Sequence, residues 1–184
     1  MLPSSIIRLS SLLLLAAWGV PGAAPSRPED ELKAAVLLSF LRYAEWPTPL
    51  PPNGAIAIGV VGRAAFAATL RQSLEGKPVN DHTIKIVELK TAADAQPCQV
   101  VYFATERPSE LTPASLAANA PHALSMGEAK GFLEAGGAVN LMLIDGRMSF
   151  EVSLDALDRS GVTISSKLLR FGRIQNRGKR GASS

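Results

Sequence analysis

The stretch that most constrains the fold is Gly136–Gly172, which opens with a glycine pair followed by the nearly unbroken apolar run Ala138–Ile144. Six apolar residues among seven, interrupted only by Asn140, fit a strand covered on both sides, as in the interior of an α/β sheet. Asp145-Gly146 then marks a tight turn, since glycine accepts the positive φ that short hairpins require. Met148–Val152 alternates apolar and polar residues, which predicts a half-buried strand returning against the first. Ser153 or Asp155 caps the next helix, Gly161 ends it, and Val162–Ile164 re-enters the core before a last helical turn, Lys167–Arg170.

The rest of the chain alternates in the same way. A helix is predicted from Glu29 or Asp30 to Trp46-Pro47, with Leu32, Ala35, Val36, Ser39, Phe40 and Tyr43 on its inner face. Strands are expected at Ala55–Val61, Thr83–Leu89, Gln99–Phe103 and His122–Ser125, and helices at Ala64–Leu74 and Ser109–Ala118. Ala92–Ala95 reads as a loop or one helical turn, and Gly127–Glu134 as one or two turns carrying Phe132 to the core. Strands alternating with helices call for right-handed crossovers. The expected fold is a three-layer α/β sandwich: a mainly parallel sheet of about six strands, helices on both faces and an antiparallel edge hairpin.

Met1–Ala24 has the parts of a secretory signal: Arg8, an apolar stretch Leu9–Val20 too short for a comfortable membrane span, and small residues before a soluble-looking chain. The expected organisation is a cleaved signal peptide over 1–24, one domain over 25–172 and a basic flexible tail over 173–184. Loss of Arg8 would lower the formal charge from +3 to +2. Much of the basic excess lies in Arg170, Arg173, Arg177, Lys179 and Arg180, a solvated terminus or a segment able to touch anionic headgroups or an acidic partner. Nucleic acid is not an expected ligand for an exported chain without an aromatic-basic pattern. Cys98 is the single cysteine, so no disulfide can form within the chain. It opens an apolar strand and reads as a buried structural thiol.

No constellation points to catalysis. Ser165-Ser166-Lys167 suits helix capping better than a serine–lysine nucleophile, because adjacent side chains at a helix start diverge. His82 and His122 stand apart, without a ligand-spaced partner, and the carboxylates Glu45, Glu128, Asp145, Glu151 and Asp155 form no readable pair. No enzyme activity, metal or cofactor is expected. Gly59, Gly62 and Arg63 lie at a strand end before a helix, where exposed amides and a guanidinium can hold an anion; turn glycines are the plainer reading. Trp46 either caps the core or anchors a partner.

Lys33–Pro47 (KAAVLLSFLRYAEWP), Ile56–Gly62 (IAIGVVG), Cys98–Phe103 (CQVVYF), the glycine-led strand and the closing GVTISSKLLR together resemble the YfiR family of bacterial periplasmic proteins. The likeness runs from about residue 31 to 172, and its weight lies in the order and spacing of these segments. It implies an exported, non-enzymatic inhibitor that binds the periplasmic sensor domain of an inner-membrane diguanylate cyclase, lowering cyclic di-GMP and restraining biofilm formation. A homodimer is in keeping with the family. Members often carry further cysteines, and any redox bridge they form has no counterpart here. By motif position and chemistry, the expected partner-binding residues are Phe150, Ile164, Lys167, Leu168 and Arg170, with Arg42 and Trp46 at the margin. The alternative is a periplasmic protein that binds a small anion or organic acid at Gly59–Arg63 and feeds another membrane sensor, such as a histidine kinase.

Overall fold

The computed structural model describes residues 28–50, 54–96, 98–105 and 120–175. The expected signal peptide, the helix over 109–118 and the end of the basic tail lie outside these residues. Helix α1 (Pro28–Tyr43) starts with proline at its first position and three carboxylates in its first turn, both favourable at the positive end of a helix. Strands β1 (Ala44–Glu45) and β2 (Ala55–Gly62), helix α2 (Ala64–Leu74), and strands β3 (Pro78–Val79) and β4 (His82–Leu89) follow. A 3₁₀ turn (Ala92–Asp94) is held by a capping box between Thr91 and Asp94. Strands β5 (Val100–Ala104), β6 (Leu124–Gly127), β7 (Val139–Ile144) and β8 (Arg147–Ser153) come next. The chain closes with helix α3 (Leu154–Ser160), strand β9 (Thr163–Ile164), the single-turn helix α4 (Ser166–Leu169) and strand β10 (Arg173–Gln175).

The main sheet has eight strands in the order β10-β8-β7-β6-β5-β2-β4-β3, and β1 with β9 forms a separate two-stranded ladder. Strands β4, β2, β5, β6 and β7 run parallel, β8 returns antiparallel to β7, and β3 pairs antiparallel with β4. The α/β architecture and the β7–β8 hairpin are as the sequence predicts, but the count of six strands is corrected to eight. The added edge members, β3 and β10, are two and three residues long, too short to show a period of two. β10 pairs parallel with β8, so Arg173–Gln175 belong to the sheet and not to a loose tail. The strand expected at His122–Ser125 sits two residues later, with His122 in the preceding turn. His82 opens β4 instead of standing in an exposed turn.

Alternation along the central strands separates two apolar clusters. Ile56, Ile58 and Val60 of β2, with Val100 and Tyr102 of β5, join Phe40 of α1 and Phe66 and Leu70 of α2. Ala57 and Val61 of β2, with Val101 and Phe103 of β5, face Ala92, Ala95, Cys98, Ala129 and Phe132 on the other side. Phe132 is fully buried, and a Cβ on Gly137 would lie 2.2 Å from its ring. Gly127–Glu134 thus delivers Phe132 as expected, although by turns and not by a helix. Ser153 caps α3 by accepting from the Ala156 amide, and Gly161 ends it at φ 72°.

The inner face of α1 differs from expectation. Its buried residues are Asp30, Lys33, Ala34, Leu37, Phe40 and Leu41, while Leu32 and Tyr43 are 44% and 43% exposed. Apolar residues surround most of this helix, so periodicity alone does not select a side. Two charges, Asp30 and Lys33, point inward with Leu37, Phe40 and Leu41.

Candidate functional site

Those charges lie at the carboxyl ends of the parallel strands. In sequence the chain passes from β2 outward to β4, then returns across β2 to β5. The ends of β2 and β5 therefore form the topological switch point, where open α/β sheets place ligands. Arg63 follows β2 directly, and its amide donates to the Ala104 carbonyl at the end of β5 (3.0 Å). Gly62 turns the chain there at φ 104°.

The protein's own ions pair across these strand ends, and a cavity of about 420 Å³ opens beside Glu29, Lys33 and Glu128. The Arg63 guanidinium donates to both Asp30 carboxylate oxygens (2.8 and 3.1 Å) and to Glu128 Oε1 (3.1 Å). Lys33 Nζ donates to Glu29 Oε1 (2.6 Å) and Glu128 Oε2 (2.5 Å). Tyr102 Oη also donates to Glu128 Oε2, at 3.2 Å. The Asp30, Glu128 and Lys33 side chains are only 4%, 8% and 7% exposed. Ions so far from water persist only when paired and hydrogen-bonded, and each here is. Burial pulls the Lys33 ammonium down, but its bonds to Glu128 and Glu29 outweigh that and raise its pKa. Arg63 is raised by the same balance against Asp30 and Glu128. Burial, and then the Glu128 carboxylate, push the Tyr102 phenol well up. The cluster brings two basic and three acidic side chains together.

This arrangement bears on the anion reading of Gly59, Gly62 and Arg63. The fork of Arg63 is occupied by Asp30, and an incoming anion would meet Asp30 and Glu128 as well. Gly59 has a packing role: a Cβ there would lie 2.4 Å from Leu89 Cδ1 and 2.9 Å from Cys98 Sγ. Cys98 is buried, and burial raises its pKa, which keeps the thiol protonated. The Ser165 hydroxyl accepts from the Lys167 amide at 3.4 Å, the capping geometry expected of that motif.

The residues expected to bind a partner divide into two groups. Phe150, Ile164 and Leu168 are buried, at 6%, 5% and 8% exposure, and Phe150 meets Phe40 edge to face. They hold the closing segment to the core and present no surface. Lys167, Arg170 and Arg42 are exposed, and Trp46 is half-buried, its indole donating to the Gln99 carbonyl (3.0 Å). The β1–β9 ladder pairs Ala44 with Ile164, and the Ser165 amide donates to the Tyr43 carbonyl, so Arg42 and Lys167 flank one corner. Beside Trp46 opens a groove of about 420 Å³ lined by Pro49, Leu50, Cys98, Pro121, His122 and their neighbours. Sequence reasoning missed the buried cluster, because Asp30 and Lys33 in the charged first turns of α1 read locally as solvent-facing.

No curated protein matches the sequence. Among solved structures, the chain is similar to the crystal structure of a conserved domain protein from Vibrio cholerae O1 biovar El Tor, with a TM-score of 0.54 and 16% identity. That match covers 81% of this chain and 60% of the other, and at such identity it shows the fold alone. A family model described as YfiR/HmsC-like matches residues 30–173, a span from the buried Asp30 to the first residue of the edge strand. The chain belongs to the YfiR/HmsC-like family.

Proposed function

We propose that this protein is an exported, non-enzymatic regulator that binds the periplasmic sensor domain of an inner-membrane diguanylate cyclase and holds the cyclase inactive. The observation that carries this reading is the family match across residues 30–173. The ion pairing at the switch point favours it, because Asp30, Lys33, Arg63 and Glu128 satisfy one another at the position where this architecture usually receives a substrate. Inhibition then rests on differential affinity: the regulator binds the inactive receptor more tightly and shifts its population.

The contact surface in this reading is the corner where Arg42 and Lys167 flank the β1–β9 ladder, together with Trp46 and the apolar groove beside it. An aromatic anchor with arginine and lysine at its margin is a composition common at protein interfaces. Deleting the gene in its own host is expected to raise cyclic di-GMP and biofilm formation. Unchanged cyclic di-GMP in a deletion strain that still expresses its membrane cyclases would overturn the proposal.

A further inference from the structure

After Ser160 the chain carries no aspartate or glutamate, but it holds Lys167, Arg170, Arg173, Arg177, Lys179 and Arg180. The whole chain has 19 basic and 16 acidic residues, so the first 160 carry thirteen basic against sixteen acidic, and a charge of −3 faces one of +6. The positive segment includes β10, the end strand of the sheet, all three of whose residues are exposed. Two of the chain's exposed apolar side chains are here: Phe171 at 66% and Ile174 at 43%. The Arg170 guanidinium lies over the Phe171 ring, 4.8 Å from its centroid. Glu151 lies 3.8 Å from Arg173, an arginine that stays 70% exposed.

We infer that this edge docks the protein on an anionic phospholipid surface. A single-signed segment with isolated apolar tips suits a plane of negative headgroups, which requires neither register nor paired opposite charges. Phe171 and Ile174 would enter the headgroup boundary, with Arg170 and Arg173 at phosphate level. A second copy does not fit this edge, since edge-to-edge pairing would set Arg170 and Arg173 against their own equivalents. A protein partner would more often answer with both signs of charge interleaved. The inference does not depend on which membrane protein the regulator controls.

The test is co-sedimentation of the soluble protein, in the form its host releases, with vesicles of phosphatidylcholine alone or mixed with phosphatidylglycerol. Binding is expected only to the mixed vesicles and should fall at high salt. The pair Arg170→Gln and Arg173→Gln should weaken it by roughly fivefold for each charge removed. Phe171→Ser should weaken it further, while Lys85→Gln with Lys90→Gln, exposed lysines in β4 and just after it, should leave it unchanged. Absence of binding to the mixed vesicles, equal binding to neutral ones, or an equal loss from the β4 pair would overturn the inference. It would also be overturned, in favour of an acidic protein contact, if the wild type ignored vesicles while the Arg170 and Arg173 changes abolished capture of a detergent-solubilised membrane partner.

Discussion

Arg63 is the residue on which the charged cluster turns, because among the described residues it alone neutralises Asp30, and it shares Glu128 with Lys33 and Tyr102. Replacing it with methionine keeps most of the volume but leaves two buried carboxylates short of a cation. Breaking one side of a buried pair costs about 3 kcal/mol or more. Arg63→Met should therefore lower stability by that order in urea unfolding while far-ultraviolet dichroism stays native. The cluster also sets an alkaline limit. Lys33 and Tyr102 both have folded pKa values raised above their ordinary 10.5 and 10.0, so the folded chain keeps protons that the unfolded chain releases. Their stabilisation is fully present below about pH 10 and is lost as pH rises through the raised values. Unfolding followed from pH 8 to 12 should show this decline in the wild type and a flatter limb in Lys33→Met. An equal decline in both would remove Lys33 as its source. The sequence displayed all these residues, but their pairing spans up to 95 positions, which no local pattern encodes.

At the scale of elements, the closing segment is fastened by packing instead of helix length, since α4 has only four residues. Phe150, Ile164 and Leu168 bury their side chains, and Gly172 passes so close to Phe150 that an added Cβ would lie 2.1 Å from its ring. Gly172→Ala should displace that aromatic or β10, with an overpacking cost of about 1–3 kcal/mol. The measurement is a chemical denaturation midpoint with amide exchange of β10, and native exchange at Ile174 would contradict this account. The β7–β8 hairpin was legible in the sequence because a long apolar run, Asp-Gly and strict alternation all point the same way. The inner face of α1 was not, because its apolar residues lie nearly all round and the two inward charges read locally as solvent-facing.

For the molecule as a whole, the surface open to a partner is narrower than the motifs imply. Arg42, Trp46 and Lys167 remain accessible at the β1–β9 corner, while three of the seven residues first placed in the contact are core. If this corner carries recognition, Arg42→Glu with Lys167→Glu should abolish capture of the membrane cyclase without changing thermal stability, because both side chains are exposed. Capture that survives both reversals would move the interface elsewhere. Core changes such as Ile164→Ala would reduce capture only by unfolding the corner, at a cost of about 2–5 kcal/mol.

The alternation of strands and helices and the hairpin are determined by sequence alone, because each rests on neighbours within a few residues of one another, and the family likeness is legible there too, in the order and spacing of its segments. Tertiary structure decided the eight-strand sheet, the face α1 buries, the ion pairing at the switch point and the division of the last segment into core and surface. These depend on which distant side chains meet. A buried lysine with its glutamate 95 positions away has the same local sequence signature as a lysine in water.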